Sequence, residues 1–170
     1  MGKAKGSSPG RVAASGPKTA RRRATTCKRQ GELSELAFVH KAASLGFGVA
    51  RPYGDNERYD FIVDSGQRLW RVQVKSTTYS QEGCYRLRAI RHLCGREVPY
   101  RPSEVDFLVA HVIPEEGWFV LPIRAIGNRT LLTLSPSTSV PSRPRLWDAY
   151  REAWHLFRED GVTEHGLPCL

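Results

Sequence analysis

The stretch from Tyr59 to Ser76, YDFIVDSGQRLWRVQVKS, limits what this chain can fold into more than any other segment. Two apolar runs flank the turn-forming pair Ser65-Gly66, which predicts a β-hairpin. In the second run apolar and polar residues alternate, and a period of two places them on opposite faces of the strand: Trp70, Val72 and Val74 on one face, Arg71, Gln73 and Lys75 on the other. The polar face is the unusual part, because the rest of the hairpin has the composition of a core.

Two further segments have the periodicity of a helix. The first begins at Gly31 and ends at Gly46, and its predicted buried face consists of Leu33, Leu36, Ala37, His40 and Ala43 or Ser44. The second is RPRLWDAYREAWHLFRED, which Gly161 ends. Its aromatic residues recur at spacings of three and four, which is typical of a buried helix face, although a platform for stacking bases is the alternative: Trp147, Tyr150, Trp154 and Phe157.

The remaining apolar segments predict strands. They are FGVARPYG, CYRLRAIRHL, VDFLVAHVIP and GWFVLPI, and Glu115-Glu116-Gly117 joins the last two as a hairpin. A chain of 170 residues with 40% hydrophobic residues can bury one core, so a single domain is expected. The predicted fold class is α+β (α/β-like), with helices at both ends of the domain.

The formal net charge of +9 is concentrated in the first 30 residues, which contain nine basic residues and no acidic one. The rest of the chain is formally neutral. Because this segment is rich in Gly, Ser, Ala and Pro, residues 1–29 are predicted to be a disordered basic tail. Such a tail either binds nucleic-acid phosphates or only increases solubility. Its candidate phosphate contacts are Arg21, Arg22, Arg23, Lys28 and Arg29.

Other features restrict the setting in which the chain works. No apolar run reaches the roughly 18 residues of a membrane span, and the N-terminus lacks the apolar segment of a secretory signal, so a soluble, cytoplasmic protein without a membrane partner is expected. The cysteines form no C-x-x-C pair and are interpreted as free thiols: Cys27, Cys84, Cys94 and Cys169. None of the five histidines stands in a recognisable catalytic arrangement.

The hairpin and the first helix together supply the parts of a phosphate-processing site. An acid on the helix, Asp60 before one strand, and Gln73 and Lys75 on the next provide oxygen ligands and an ammonium group. Mg²⁺ is commonly held by one or two carboxylates together with water and substrate phosphate. The structural alternative is that Asp60 caps a turn and the Gln-x-Lys element is a solvated strand face. The combination favours phosphodiester cleavage.

In these motifs the chain resembles the PD-(D/E)XK nuclease superfamily, and within it the branch of group I intron-encoded homing endonucleases that has Gln in the third motif. The resemblance runs from about Arg29 to Phe157. Its carriers are KRQGELSELAF, ARPYGDNERYDFIVD, RLWRVQVKS, EVDFLVAHVIPEEGWFVLPI and DAYREAWHLF. Gly31 and Glu35 match the helix motif G-x-x-x-E, and Tyr59 stands where the superfamily has proline. Asp60 matches the acid that follows, and Gln73 and Lys75 match the (D/E/Q)-x-K element.

The resemblance implies a restriction-endonuclease-like core over residues 30–160, with a central mixed β-sheet between an N-terminal and a C-terminal helix, followed by a short tail over residues 161–170. It implies a Mg²⁺-dependent endonuclease, with Mn²⁺ as a substitute, that cleaves double-stranded DNA as a homo-oligomer, either a dimer or a tetramer. Asp60 would be the main metal ligand and Glu35 a ligand directly or through water. Gln73 and the Val74 carbonyl would hold metal or water, and Lys75 would activate the nucleophile.

Several alternatives stay open at the level of sequence. Glu32, one helical turn before Glu35, is the rival for the helix acid. The neutral Gln73 favours a second function, a noncatalytic or weakly catalytic DNA-binding module on the same fold. A third is an RNA-associated or assembly protein in which Asp60 and Lys75 form a structural ion pair. The target sequence and the biological role, whether intron homing, restriction, repair or defence, do not follow from the sequence.

Overall fold

A computed structural model of the chain describes residues 17–54, 56–135 and 145–158. Its helices are α1 (Pro17–Ser44) and α2 (Ile123–Ile126). The strands are β1 (Gly48–Ala50), β2 (Phe61–Asp64), β3 (Leu69–Thr77), β4 (Ser80–Gln81), β5 (Cys84–Arg88), β6 (Ile90–Leu93), β7 (Arg96–Pro99), β8 (Phe107–Val112), β9 (Gly117–Pro122) and β10 (Leu131–Leu134). Within the described ranges, no helix combines the length and the apolar composition that crossing a membrane requires.

The central sheet has five strands in the order β1-β2-β3-β8-β9. The pairing of β3 with β8 is parallel, from Val72 opposite Phe107 to Thr77 opposite Val112, and the other pairings are antiparallel. Arg71 fastens the start of this parallel pair, because its backbone N–H and its guanidinium all donate to the Asp106 carboxylate. The predicted α+β fold with a central mixed sheet is therefore confirmed.

The predicted hairpin forms β2 and β3 in the expected register, with Phe61 opposite Val72 and Asp64 opposite Leu69. The Ser65 N–H donates to the Arg68 carbonyl across the turn at 3.0 Å. Every second residue of β3 is buried from Trp70 to Val74, as the alternation predicts. The buried residues Trp70, Val72 and Val74 belong to the core that lies between the sheet and α1.

Helix α1 differs from its prediction in its start and in its buried face. It begins at Pro17 rather than Gly31, so residues 17–29 are helical where the sequence predicts a disordered tail; proline suits a first helical position. Leu33, Leu36 and His40 are exposed. The predicted face is therefore wrong, and the buried one is Ser34, Phe38 and Ala42, spaced four residues apart.

Specific partners decide which face of α1 is buried. The ring of Phe38 packs on Phe61 and Trp154 at centroid distances of 5.3 and 6.0 Å, and Ser34 pairs with His111 of β8. Packing against these aromatic rings therefore favours burial of Phe38 over burial of Leu33 and Leu36. Residues 1–16 and the predicted tail over residues 161–170 lie outside the described residues.

The predicted closing helix is wrong. The segment instead forms two short 3-10 helices, Asp148–Tyr150 and Trp154–Phe157, and Arg151 bridges to Phe119 of β9. Glu152 has a left-handed φ of 48°, which interrupts a helix, and its carboxylate accepts from the Trp118 backbone N–H and the Trp154 Nε1–H. The interpretation of the aromatic residues as core is confirmed, because Trp147, Trp154 and Phe157 are buried.

A second layer of strands covers the other face of the sheet. The segment CYRLRAIRHL, predicted as one strand, is divided at Ala89, whose N–H donates to the Thr130 carbonyl. Its first half, β5, lies between β10 and β4, and its second half, β6, pairs with β7 as a two-stranded ribbon. The inner residues Leu87, Leu132 and Leu134 pack with Leu108 and Phe119 of the central sheet.

Candidate active site

The geometry of Asp60 follows from the point at which β2 begins. The Asp60 N–H donates to the Val72 carbonyl at 2.9 Å, and the strand continues from Phe61. Strand β3 continues beyond the residue that pairs with the start of β2. The N–H of Val74, the next one that points toward β2, therefore has no residue of β2 opposite it. The Asp60 carboxylate takes this position and accepts the Val74 N–H at 2.8 Å through Oδ2. Asp60 is thus fixed by the end of the hairpin.

Gln73 is the neighbour of Asp60 across the hairpin. Its Nε2 donates to the same Oδ2 and also to the Val74 carbonyl at 3.3 Å. The second carboxylate oxygen, Oδ1, accepts no hydrogen bond from any residue that the structure describes. One oxygen of Asp60 is therefore held by the fold, while the other remains available to a ligand.

Glu35 and Glu32 lie in different surroundings on α1. The Glu35 side chain is 22% exposed and meets Arg51 Nη2 at 3.3 Å, whereas Glu32 is 57% exposed and pairs with Lys28 one turn earlier. Burial raises the pKa of Glu35, the charge of Asp60 raises it further, and Arg51 and Lys75 lower it. The structure therefore brings Glu35 into electrostatic contact with Asp60 and Lys75.

Lys75 follows Gln73 on the same polar face of β3. Burial lowers the pKa of Lys75, and the charges of Asp60 and Glu35 oppose this effect. Burial likewise raises the pKa of Asp60, against the Val74 N–H, Lys75 and Gln73. Carboxyl and amino groups with pKa values displaced by burial and by one another are characteristic of catalytic sites.

The donor set suits a hard divalent cation. No group of three or more His, Cys, Asp and Glu side chains that could hold a metal ion occurs among the described residues. Glu35 and Asp60 supply two carboxylates, and the Gln73 amide and the Val74 carbonyl supply neutral oxygens. Mg²⁺ commonly takes one or two carboxylates and completes its shell with waters and substrate phosphate, so these residues fit it.

Several residues of this region were not predicted from the sequence. Arg51 follows β1 and pairs with Glu35, and Tyr100 is buried with its ring centroid 5.9 Å from Lys75 Nζ. Burial and the charge of Asp60 raise the pKa of Tyr100. Tyr100 lies in none of the quoted motifs, and Arg51 lies in the segment ARPYGDNERYDFIVD without matching a site residue of the family, so only the folded chain brings them to Lys75 and Glu35.

A cleft of about 550 Å³ opens beside Gln73 and Lys75. Strands β5 and β6 and the end of β7 form its far wall. The residues along it are Ser76, Arg86, Leu87, Arg88, Ile90, Arg91, His92, Glu97 and Tyr100. Gln73 and Lys75 of the candidate active site therefore line a groove that carries several basic side chains, whereas Glu35 and Arg51 line a separate cavity of about 360 Å³.

Of the predicted phosphate contacts, Lys28 and Arg29 are not among the residues that line this cleft. Lys28 and Arg29 are exposed on α1, and the side chains of residues 21–23, which include Arg21, Arg22 and Arg23, lie outside the described part. His111 is buried and stacks on Trp118 at a centroid distance of 4.0 Å. Cys27, Cys84 and Cys94 are free thiols, as predicted, and Cys169 is not among the described residues.

Comparison with known proteins identifies a nuclease family and a similar solved structure. A family model described as PD-(D/E)XK endonuclease matches residues 25–156. The chain is also similar to a solved structure titled as that of a bacterial homing endonuclease, I-Ssp6803I, with 33% sequence identity and a TM-score of 0.67. The match covers 76% of this chain and 91% of the other. No curated protein matches significantly.

Proposed function

Since the chain belongs to the PD-(D/E)XK endonuclease family and is a nuclease of that kind, we propose that it is a metal-dependent endonuclease that hydrolyses double-stranded DNA. The observation that supports the proposal is the mutual electrostatic influence of Glu35, Asp60 and Lys75, which come from α1 and the hairpin. Gln73 donates to the Asp60 carboxylate, and Gln73 and Lys75 line one cleft. Two carboxylates, an amide and an amine are the parts that phosphodiester hydrolysis requires.

Asp60 and Glu35 are the proposed carboxylate ligands, with the Gln73 amide and the Val74 carbonyl as neutral ones. When bound, Mg²⁺ or Mn²⁺ lowers the pKa of a coordinated water and screens the charge that grows on the phosphate under attack. The fixed Oδ2 of Asp60 holds the carboxylate in place before the ion arrives. Arg51 neutralises Glu35 in its absence.

Lys75 is the proposed activating residue. Burial lowers its pKa, which makes deprotonation less costly, so in this proposal it accepts a proton from the attacking water or, when charged, stabilises the developing negative charge on the phosphate. The ring centroid of Tyr100 lies 5.9 Å from its Nζ.

A noncatalytic or weakly catalytic DNA-binding module is the second candidate. It is favoured by the neutral Gln73, whose Nε2 occupies the same oxygen of Asp60 that the Val74 N–H holds. A site with two carboxylates attracts a divalent ion less strongly than a site with three, so binding without cleavage is the expected result of weak metal affinity.

Nicking of supercoiled plasmid in Mg²⁺, Mn²⁺ or EDTA separates these functions. We expect nicking with either metal, none in EDTA, and a loss of at least about a hundredfold in Lys75→Ala, the usual size of a proton-transfer contribution. Arg124→Ala is the matched control, because Arg124 is exposed on α2 and also removes one positive charge. Binding without nicking at any metal concentration would favour the DNA-binding module.

Thermal melting of Lys75→Ala tests the structural interpretation of the ion pair. Removal of Lys75 takes a positive charge away from the buried Asp60 carboxylate, so Lys75→Ala is expected to melt earlier than the wild type, and the nicking rate decides between the two roles. A Lys75→Ala protein that melts much earlier but nicks at the normal rate would contradict the catalytic role and favour a structural one.

We also propose that the active form is a homo-oligomer, a dimer or a tetramer. Each chain has one such site, and cutting both strands of a duplex at one position needs two sites related by a two-fold axis. Sedimentation with and without duplex DNA measures the number of chains. A monomer that cuts both strands in one encounter would contradict this.

A further inference from the structure

The cleft beside Lys75 carries a basic wall that the metal site does not explain. Residues of β5 alternate between the core and the cleft side: Tyr85 and Leu87 are buried, while Arg86 and Arg88 are exposed. Both arginines line the same cleft as Gln73 and Lys75. A period of two thus places two guanidinium groups on the exposed face of β5, in one cleft with two residues of the candidate active site.

The arginines of this wall differ in how strongly the protein already holds them. Arg91 is 11% exposed and its guanidinium donates twice to Glu104, which makes it a structural anchor. Arg88 pairs with Glu97 of β7 at the surface, where both side chains are largely solvated and a pair is weak. Arg86 forms no ion pair with a described residue. Arg86 and Arg88 are therefore free to exchange water or Glu97 for a ligand.

The ligand that fits this wall is a polyanion of extended shape. An open cleft that carries guanidinium groups and the Lys75 ammonium group is complementary to consecutive phosphates of a nucleic-acid strand. The ribbon of β6 and β7 adds His92 and Glu97 to the same wall. Glu97 is the one acidic residue among those that line the cleft, and it neutralises Arg88 in the absence of ligand.

We propose that this cleft binds the phosphate backbone of the DNA strand that enters the active site, with Arg86 and Arg88 as its phosphate contacts and Glu97 as a competitor for Arg88. This inference rests on the proposed function, because it takes Lys75 to lie beside the phosphate that is cleaved. The folded domain then has an affinity for DNA of any sequence, in addition to the affinity that the basic N-terminal segment supplies.

Metal-free binding of a fluorescein-labelled duplex of mixed sequence, measured in EDTA over a series of salt concentrations, tests the cleft without cleavage. Each phosphate contact contributes about 0.9 to the slope of log affinity against log salt, so Arg86→Gln and Arg88→Gln are each expected to lower the slope by about one. Glu97→Gln is expected to act in the opposite direction, tightening binding by releasing Arg88. The control is Arg124→Gln, which removes an exposed positive charge on α2.

The outcomes separate the cleft from the nuclease. If Arg86→Gln and Arg88→Gln bind the duplex with the same affinity and salt dependence as Arg124→Gln, the cleft is not a phosphate-binding site, even where the wild type nicks plasmid in Mg²⁺. Weaker binding by both arginine variants with tighter binding by Glu97→Gln would support it, even where no metal produces nicking and the nuclease proposal fails. Unchanged melting temperatures of the variants exclude loss of folding as the cause, since each side chain is exposed.

Discussion

At the scale of single residues, the notable feature is that one carboxylate oxygen serves two donors. Asp60 Oδ2 accepts from the Val74 N–H and from Gln73 Nε2, so the neutral amide does part of the work of holding the acid. A carboxylate in place of Gln73 could not donate. It would instead place two like charges in contact, and in that arrangement one carboxyl group usually remains protonated.

Gln73→Glu should therefore make folding depend more strongly on metal. Without metal the variant is expected to melt earlier than the wild type at neutral pH, because Asp60 loses a donor and gains a negative neighbour. Added Mg²⁺ should raise its melting temperature more than it raises that of the wild type. Thermal melts in EDTA and in a Mg²⁺ series measure both effects.

The matched control for that variant is Gln67→Glu, which adds the same charge at the exposed turn of the hairpin. It should melt like the wild type in both conditions. Equal Mg²⁺ responses of the Gln73→Glu and wild-type proteins would mean that residue 73 is not near the bound ion.

At the scale of elements, the contact between α1 and β8 determines where Glu35 lies. Ser34 Oγ and His111 Nδ1 are 3.1 Å apart, and His111 stacks on Trp118 of β9. Ser34 immediately precedes Glu35, so this contact orients the helix turn that presents the acid to Asp60. The position of the carboxylate therefore depends on a buried histidine in a different element.

The titration of His111 should make stability fall in weak acid. Burial lowers the pKa of His111, although Glu116 and Glu152 raise it, so the unfolded chain takes up a proton near pH 6.5 and the folded chain only at lower pH. Stability is therefore complete above about pH 6.5 and is lost as the pH falls toward the folded pKa, by about 1.4 kcal/mol for each tenfold difference in proton affinity.

Urea unfolding at a series of pH values between about 7.5 and 5.5, where histidine titrates, measures this loss. His111→Gln should unfold more easily at every pH but with a shallower dependence on pH, because the titrating group is gone. His40→Gln, on the exposed side of α1, should keep the wild-type dependence. A slope unaffected by His111→Gln would assign the acid sensitivity to other groups.

Elements differed in how well they could be predicted, and the difference has a physical cause. The β2–β3 hairpin is local and its alternation has one period, so its faces and register followed from the sequence. In α1, the face with Leu33 and the face with Phe38 both contain apolar residues. Which of the two is buried depends on the rings of Phe61 and Trp154, which come from other elements. The helix predicted near Trp154 fails because Glu152 bonds to Trp118, a partner 34 residues away.

At the scale of the whole molecule, basic residues cluster in the N-terminal segment and in the cleft. The N-terminal segment holds all the excess of basic residues. The first is visible as composition. The second was not predicted, because Arg86, Arg88 and Lys75 become neighbours only after β5 folds over the sheet. Asp60, Gln73 and Lys75 were accessible from the sequence because they lie in one hairpin.

Removing residues 1–29 should leave a folded core with a flatter salt dependence of DNA binding. Contacts that fasten α1 to the rest of the domain remain after the deletion: Gln30 reaches Ser76 at 3.4 Å, and Phe38 and Ala42 lie in the core. The deletion takes away nine basic residues and brings the formal net charge from +9 to zero. Weaker binding with a smaller slope is the expected result of losing these counterion-releasing charges.

A full-length variant with those nine basic residues replaced by glutamine separates charge from chain length. It should bind like the truncated protein if charge alone acts. Arg86→Gln introduced into the truncated protein should lower the slope again, since the cleft is independent of the N-terminal segment. A truncated protein with the wild-type slope would contradict the role of the segment in binding.

Asp60 lies at the open end of its hairpin, and this position determines how the spacing between Asp60 and Gln73 can vary among relatives. The turn at residues 65–68 closes the other end, so the number of residues between Asp60 and Gln73 reflects the length of a ladder rather than a need of the chemistry. One residue added to each strand would lengthen the ladder and keep the two side chains paired, whereas one residue added to a single strand would turn Gln73 into the core. A search for relatives should therefore let the number of residues between the acid and the Gln-x-Lys element vary by two at a time, rather than require a fixed number.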